Sequence, residues 1–327
     1  MAKDEFFKID VEAHLVGDME PISYFPGVQM WWRAVHGITR PLFFPLETPS
    51  ELLKVKHKPE ELIEIMDKYE VDMAFVLPES MMDTTGYATR WVTNGYVAAA
   101  CAKYPERFIF CPNVGPIKKR GVKNAVWELE YLVKERNAKV VKLYSPEDIY
   151  LNDPEIYPFY EKCVELKIPV CIHTGFCWVP PGRAKYCHPE QLDDVATDFP
   201  DLIIIAYHAG WPYPDVLNMV AATHPNVYIG LNLIVPWALA TPRRFAMILG
   251  EALRWVGPDR IVWGTDFAGL EAQVLYAVEG LKKFQIPKDM QEEYGYPALT
   301  DEDKKKIFGL NLAKILGIKP ERKMGKR

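Results

Sequence analysis

Alternation between apolar runs and helical stretches constrains the fold of this chain more than any other feature. Eight short runs, most of them nearly continuous in apolar residues, are each followed by a segment with apolar positions at helical spacing. Continuous apolar strands are typical of a parallel sheet that is covered on both faces. Eight such units in 327 residues predict an α/β fold, a closed (β/α)8 TIM barrel, rather than an open doubly wound sheet.

The order of the elements follows from the same pattern. The predicted strands are 6–14, Asp72–Pro78, Phe108–Val114, Ala138–Ser145, Pro169–Gly175, Asp201–Gly210, Val227–Asn232 and Arg260–Phe267. The predicted helices are Pro59–Tyr69, Ala88–Lys103, Val122–Asn137, Pro154–Leu166, Pro189–Phe199, Tyr213–Thr223 and Pro242–Val256, with extra helices towards the C-terminus. We expect one barrel domain over residues 1–327.

Residues 15–57 form a long irregular segment that is rich in proline, glycine and aromatic residues. A loop of this length within a compact domain is usually functional, as a lid or a binding segment. Packing over the end of the barrel and a contact between subunits are equally consistent with its composition. The short basic tail at 319–327 is expected to be a solvated charged segment.

Composition argues against several classes of function. The formal net charge of −5 gives no reason to expect a nucleic-acid partner. The six cysteines form no CxxC pair, so we expect small core residues in a reduced, cytoplasmic protein. The sequence contains neither a charged-then-apolar leader nor an apolar run long enough to span a membrane, so no membrane partner is predicted.

Five polar residues follow the apolar runs where the carboxyl ends of the barrel strands should meet. They are Glu12, His14, His173, His208 and Asp266. Side chains alternate along a strand, so Glu12 and His14 share one face and can reach one small cation. Carboxylate and neutral imidazole ligands suit zinc, manganese or iron better than calcium or copper. The five residues together predict a divalent metal centre at the barrel mouth.

Each of these residues also has an ordinary structural explanation. His173, taken alone, could form a hydrogen bond with a neighbouring loop. Asp266 could cap the helix that follows it. A purely structural role for all five at once is much harder to explain than a shared site.

The pattern resembles the amidohydrolase superfamily. The residues that carry the resemblance are the ExH pair Glu12 and His14, His173 after the fifth strand, His-Ala-Gly at 208–210 and Gly-Thr-Asp at 264–266. More narrowly, the chain is similar to the amidohydrolase-related branch that contains aminocarboxymuconate semialdehyde decarboxylase, γ-resorcylate decarboxylase and 5-carboxyvanillate decarboxylase. The closing segment 307–313 is similar to the C-terminal helix of that branch.

The resemblance implies a centre with one divalent metal ion, zinc or manganese before iron. Its ligands would be Glu12, His14, His173 and Asp266, and the catalytic acid–base groups would be Asp266 and His208. Many superfamily hydrolases have histidine at the first ExH position, and glutamate there is similar to the phenolic-acid decarboxylases. The branch also implies a homodimer or homotetramer.

Lys142 lies near the end of the fourth predicted strand. In binuclear superfamily members a carboxylated lysine at this place bridges two metal ions. In a mononuclear site Lys142 would instead position the substrate or pair with a buried acid.

Aromatic and basic residues in the loops indicate the substrate class. Candidates for an aromatic pocket wall are Trp31, Trp32, Phe176, Trp178, Trp211 and Trp237, and candidates for holding a carboxylate or phenolate are Arg33, Arg183 and His188. Packing between helices and barrel explains any single tryptophan more simply. As a group, these residues favour a planar, anionic, aromatic substrate.

The predicted function is non-oxidative decarboxylation of an aromatic or muconate-like carboxylic acid. The metal would hold the carboxylate while Asp266 or His208 transfers the proton. The alternative is a metal-dependent hydrolase of a lactone, cyclic ketone or amide, or a hydratase, with a metal-activated water. A metal-binding barrel without turnover is a third hypothesis, against which the presence of both proton carriers argues.

Overall fold

The computed structural model describes residues 6–16, 43–78, 92–177 and 182–320. Within these residues eight strands alternate with helices in the predicted order, which confirms the (β/α)8 barrel. The paired strands of both ladders run parallel. The strands are β1 (Ile9–Leu15), β2 (Met73–Pro78), β3 (Phe108–Phe110), β4 (Val141–Leu143), β5 (Val170–Ile172), β6 (Ile204–Ala206), β7 (Val227–Gly230) and β8 (Ile261–Val262).

Helices cover the outside of the barrel. They are α1 (Pro59–Lys68), α2 (Asn94–Lys103), α3 (Ile117–Arg120), α4 (Val122–Arg136), α5 (Tyr157–Leu166), α6 (Gln191–Asp198), α7 (Pro214–Thr223), α8 (Trp237–Ala240), α9 (Pro242–Trp255), α10 (Glu271–Lys283), α11 (Lys288–Tyr294), α12 (Asp301–Lys305) and α13 (Asn311–Leu316). A π-helical turn, Lys306–Leu310, joins α12 to α13. Of the helices in the described ranges, none has the length and apolar character needed to span a bilayer.

Backbone hydrogen bonds close the sheet into a barrel. The strands form two ladders, β1–β3 and β4–β8. The Lys142 N–H group donates to the Pro112 carbonyl at 2.8 Å, which joins the β3 end to β4. The His14 N–H group donates to the Phe267 carbonyl at 2.7 Å, and the Phe267 N–H group donates to the Glu12 carbonyl at 3.2 Å. The first and last strands therefore meet where the predicted site residues lie.

The core has two parts, as side chains alternate between the two faces of each strand. One cluster fills the barrel interior and includes Val11, Phe75, Ile109, Cys171 and Ile205. A larger cluster lies between the strands and the surrounding helices. Five of the six cysteines are buried, in line with the expectation that they are small core residues.

Some element boundaries differ from the predicted ones. The strand expected over Asp201–Gly210 ends at Ala206, because the chain then turns through left-handed φ values of 61° at His208 and 48° at Ala209. His208 therefore lies in a tight turn and not on a strand. Helix α2 begins at Asn94, where the Thr93 hydroxyl accepts a hydrogen bond from the Tyr96 N–H group at 3.1 Å.

The described part of the 15–57 segment packs onto the barrel from residue 43. The ring of Phe43 stacks on that of Trp237 with 5.2 Å between centroids. The Lys56 N–H group donates to the Gly269 carbonyl at 2.8 Å. Residues 17–42 lie outside the described ranges, as do 321–327 of the basic tail, so the lid hypothesis stays a prediction.

The π-helical turn and α13 cover the amino end of the barrel. The Trp263 N–H group donates to the Ile307 carbonyl at 2.9 Å, and the Phe308 ring lies 5.3 Å from the Trp263 ring. Gly309 packs against the start of β1, where a Cβ atom would lie 2.5 Å from the Phe7 carbonyl oxygen. The atoms nearest to such a Cβ atom belong to the backbone, which cannot move aside as a flexible side chain could.

The replacement Gly309→Ala should lower the free energy of unfolding by about 1–3 kcal/mol, the usual cost of overpacking. The control is Gly95→Ala, since an added Cβ atom there meets its nearest neighbour at an ordinary 3.6 Å on an exposed helix position. Gly95→Ala should be neutral or slightly stabilising. Urea unfolding measures both, and equal stability of the two variants would contradict the tight contact.

Candidate metal centre

Three of the four predicted ligands meet at the barrel mouth, where β1 ends and the chain leaves β8. His14 Nε2 lies 3.2 Å from Asp266 Oδ1 and 3.4 Å from Glu12 Oε1. Within the described ranges, these three side chains form a group whose ligand atoms all lie within 4.8 Å of one another. One small cation can therefore contact all three.

Asp10 holds the backbone that carries these residues. Its Oδ1 atom accepts hydrogen bonds from the N–H groups of Glu12 at 3.0 Å and Thr265 at 2.8 Å. Asp266 has a φ of 54°, a conformation uncommon for a residue with a side chain. Its carbonyl accepts a hydrogen bond from the Gln273 amide. These contacts fix β1 against the loop after β8 and set the direction of the Asp266 side chain.

Glu12 is a buried charge at the centre of this group, with 1% of the residue exposed. Lys142 Nζ donates to its Oε1 atom at 2.6 Å, and Asn232 Nδ2 donates to its Oε2 atom. Burial alone would raise the pKa of Glu12, but Lys142 and a hydrogen bond with His14 outweigh burial and hold that pKa well below its usual range. Lys142 thus pairs with a buried acid, one of the two roles expected for it.

The pKa of Asp266 indicates whether these residues suit a cation. Burial, and then the charge of Glu12, raise the pKa of Asp266 to about 7, even though His14 lies beside it. Two carboxylates at close range repel each other, and a divalent cation between them would offset that repulsion. The donors are two carboxylates and one imidazole, which suit manganese, zinc or iron. The residues present therefore fit a divalent metal ion.

His173 and His208 form a hydrogen-bonded pair beside this group. His208 Nε2 lies 3.0 Å from His173 Nδ1, and His173 Nε2 lies 2.6 Å from the Phe176 carbonyl oxygen. Burial is the main cause that lowers the pKa of both imidazoles, that of His208 to about 4. His173 lies outside the three-residue group, so its role as a ligand stays a prediction, as does contact of His208 with substrate.

An aromatic wall, formed by Phe176, Trp211 and Trp237, extends from the histidine pair. The Phe176 ring lies 5.5 Å from the His208 ring and 5.6 Å from the Trp211 ring. Trp211 meets Trp237 edge to face at 5.4 Å. Three of the predicted pocket residues therefore form one continuous aromatic cluster, in which Trp237 itself is fully buried.

Arg244, which sequence reasoning missed, places a cation on the aromatic wall. Its guanidinium carbon lies 4.5 Å from the Trp237 ring centre and 5.3 Å from the Trp211 ring centre. In the described part of the chain no carboxylate pairs with Arg244, whereas the adjacent Arg243 pairs with Asp289 at 2.8 Å. A guanidinium stacked on indole rings keeps its N–H groups for an anion. The available signal was a basic residue in the first turn of the helix after the seventh strand.

Of the other residues predicted to bind substrate, two are described in contacts of their own and the rest lie outside the described ranges, so their role stays a prediction. Arg183 lines a separate cavity of about 270 Å³ with Lys119, Glu147 and Tyr186. His188 packs on the Tyr213 ring at 4.4 Å. The predicted residues outside the described ranges are Trp31, Trp32, Arg33 and Trp178.

Asn232 was also missed by sequence reasoning. It is fully buried and contacts both Glu12 and His208. Its position directly after the seventh apolar run was the available signal, because other strands carry site residues at that point. Asparagine is also common in turns, which makes this signal weak by itself.

The replacement Lys142→Met should destabilise the chelator-treated protein, because it leaves the Glu12 charge buried without its main neutralising partner. We expect a loss of about 3–5 kcal/mol in the free energy of unfolding. The double variant Lys142→Met, Glu12→Gln should recover part of this loss, since the buried charge is then removed. Denaturant titration measures both, and a double variant no more stable than the single one would contradict the buried ion pair.

Comparison with known proteins covers nearly the whole barrel. A family model described as amidohydrolase matches residues 9–318. The protein fluG of Emericella nidulans is 28% identical over 98 residues, which are 30% of this chain and 11% of that protein. The matched region is thus a small part of that longer protein and shows no shared activity.

Solved structures with the same fold include enzymes. An uncharacterised TIM-barrel protein from Bordetella bronchiseptica has a TM-score of 0.70 at 20% identity, over 95% of this chain and 99% of that one. The 5-carboxyvanillate decarboxylase of Sphingomonas paucimobilis has a TM-score of 0.63 at 16% identity, over 96% and 100%. A dihydroxybenzoic acid decarboxylase from Polaromonas sp. JS666, solved with manganese and the inhibitor 2-nitroresorcinol, has a TM-score of 0.66 at 17% identity, over 95% and 97%. These likenesses show the TIM barrel, and the family model, which runs from the start of β1 to beyond α13, shows that the chain belongs to the amidohydrolase family.

Proposed function

We propose that this chain is a metal-dependent decarboxylase of an aromatic carboxylic acid. The observation that carries the proposal is the Glu12, His14 and Asp266 group at the barrel mouth, with the aromatic wall beside it. Two of the similar structures are decarboxylases of phenolic acids, and one of them was solved with manganese. These likenesses support the proposal by fold, and the site residues support it by their chemistry.

Glu12, His14 and Asp266 would hold a divalent metal ion, with His173 as the predicted fourth ligand. When bound, the ion would act as a Lewis acid for the carboxylate and a neighbouring oxygen of the substrate. Lys142 and Asn232 keep both Glu12 oxygens oriented, which limits the reorganisation that binding a cation requires.

Decarboxylation breaks the bond between the ring and the carboxyl carbon and leaves its electron pair on the ring carbon. A proton must bond to that carbon as CO₂ departs. We assign this proton to a carboxyl oxygen of Asp266, whose side chain is 13% exposed at the mouth. His208 is 1% exposed and both of its ring nitrogens contact protein atoms, so it is less suited to reach a substrate.

The aromatic wall and Arg244 indicate the kind of acid. Offset or edge-to-face contact with Phe176 and Trp211 suits a planar ring. Arg244 supplies a fixed positive charge next to those rings, which suits an oxyanion or carboxylate on the substrate. We therefore propose a hydroxybenzoate-like substrate with a second polar group.

The test uses the full chain after chelation and reloading with Mn²⁺ or Zn²⁺, supplied with 2,6-dihydroxybenzoate, 5-carboxyvanillate and related acids. We expect one CO₂ to be released per acid consumed, and only by the metal-loaded protein. His14→Ala should lose more than about 100-fold in rate, since metal affinity falls. His224→Ala is the matched control, a remote histidine whose side chain is 14% exposed against 12% for His14, and it should keep full activity.

A second candidate is hydrolysis, which the amidohydrolase family description favours. The same ligand group could serve a metal-activated water, with Asp266 accepting its proton. Opening of a lactone or amide ring by the loaded protein, with no CO₂ from any acid, would overturn the decarboxylase proposal and support this one.

The replacement Arg244→Ala should raise the KM for the acid about tenfold while kcat changes little, as expected when a charged hydrogen bond to bound substrate is lost. Arg243→Ala is the control, because Arg243 is the neighbouring exposed arginine and pairs with Asp289. Steady-state kinetics distinguish the two. An equal rise in KM for both variants would show a general effect of surface charge.

A further inference from the structure

The first strand, β1, contains a bulge just before its carboxyl end. Asp10 of β1 lies opposite Ala74 of β2, and Ala13 lies opposite Val76. Three steps along β1 therefore match two steps along β2. The two β1 residues in between oppose a single residue of β2, which is the pattern of a β-bulge with one extra residue.

The bulge changes which side chains of β1 point into the barrel. Before it, Phe7, Ile9 and Val11 belong to the cluster that fills the barrel interior. After it, Ala13 and Leu15 belong to the cluster between the strands and the helices. Side chains alternate along a regular strand, so all five odd-numbered positions would otherwise point the same way. The extra residue thus turns the even-numbered positions after it inwards.

This change of phase places Glu12 and His14 inside the barrel mouth. In a regular strand both side chains would point towards the surrounding helices. Instead, Glu12 meets Lys142 of β4 and Asn232 from the end of β7. His14 Nε2 lies 3.4 Å from Glu12 Oε1. The position of the two β1 ligands in the metal centre therefore depends on the bulge.

Asp10 replaces one backbone hydrogen bond on the side of the bulge that faces β8. The Val11 N–H group donates to the Trp263 carbonyl at 3.2 Å, as in a parallel ladder. The next bond of a regular ladder would run from the Thr265 N–H group to the Val11 carbonyl. Here the Thr265 N–H group donates to Asp10 Oδ1 at 2.8 Å. The Val11 carbonyl therefore takes a different donor.

Tyr207 supplies that donor from across the barrel interior. It follows β6 directly and is fully buried, and its hydroxyl donates to the Val11 carbonyl at 2.5 Å. The Thr174 hydroxyl donates to the Tyr207 carbonyl at 2.6 Å, which holds the Tyr207 backbone in place. Lys142 Nζ lies 3.8 Å from the centre of the Tyr207 ring. One side chain thus contacts both the bulge and the ammonium group that pairs with Glu12.

Gly264 leaves room for the bulge on the β8 side. A Cβ atom there would lie 2.7 Å from Val11 Cγ1 and 3.1 Å from Asp10 Oδ1. Gly264 has no positive φ, so its role is space rather than turn geometry. The end of β6 and the loop after β8 are therefore both shaped around the bulged part of β1.

We propose that Tyr207 is a positioning residue of the metal centre, because its hydroxyl holds the β1 bulge that turns Glu12 and His14 into the barrel mouth. The proposal rests on the metal centre of the proposed function, but it does not depend on which reaction the centre catalyses. Tyr207 acts through the β1 backbone. Without its hydroxyl, the Val11 carbonyl loses this donor and the two ligands lose their fixed direction.

The variant Tyr207→Phe removes the hydroxyl and keeps the ring against Lys142. Its affinity for Mn²⁺ should fall about 10–100-fold, as when groups that orient metal ligands are removed. The paramagnetic resonance signal of free Mn²⁺, recorded while chelator-treated full chain is titrated with the ion, measures this affinity independently of any reaction.

Tyr160→Phe is the matched control. Tyr160 is also fully buried, its hydroxyl donates to the Leu151 carbonyl at 2.8 Å, and it packs outside the barrel interior. Both variants should lose similar stability towards urea, since each loses one buried hydrogen bond to a carbonyl. Only Tyr207→Phe should lose manganese affinity. An unchanged affinity in folded Tyr207→Phe, or an equal loss in both variants, would overturn the proposal.

Gly264→Ala tests the same bulge from the β8 side if Tyr207→Phe does not fold. It should also weaken manganese binding, because the added Cβ atom displaces Val11. Gly309→Ala is its control, since it strains the other end of β1 and should keep full affinity. Full affinity in folded Gly264→Ala would overturn the proposal.

The outcome is separate from catalysis. Wild-type protein that binds manganese but releases no CO₂ would refute the proposed decarboxylase. A selective loss of manganese affinity in Tyr207→Phe would still support the role of Tyr207.

Discussion

The buried charge of Glu12 is the constraint on which the barrel mouth depends. A carboxylate removed from water is costly unless it is paired and hydrogen-bonded. Lys142 from β4 and Asn232 from the β7 end satisfy its two oxygens, and Asp10 holds its backbone N–H group. Strands from three parts of the barrel must therefore close correctly before this charge can be buried. The site and the closed fold stabilise each other.

The fold was predictable because its signal is local and repeated. Each apolar run needs only a parallel neighbour and a covering helix, so eight repeats at this length leave few alternatives to a barrel. The prediction was wrong at the end of β6, where four residues expected on a strand form a turn. His208 and Ala209 adopt left-handed φ values there, and a short apolar pattern carries no information about that turn.

The site was only partly predictable. Residues at or just beyond the carboxyl end of a strand, such as Glu12 and His14 on β1 and Asp266 after β8, are brought together by barrel topology, so their grouping followed from the sequence. Arg183 and His188 lie in longer connections, whose course depends on packing that no local pattern encodes. Arg244 reaches the aromatic wall from the start of α9, a contact set by how that helix docks.

The way the amino end of the barrel is covered has a consequence for how the chain is made. β1 is synthesised before the other strands of the barrel, yet the start of β1 packs on Phe308 and Gly309, which lie roughly three hundred residues later in the chain. The β8 edge that β1 must pair with also emerges late. Until β8 has been synthesised, β1 is an apolar strand with one edge unpaired, the kind of intermediate that is prone to aggregate. The barrel can therefore close only after β8 and the π-helical turn are both available.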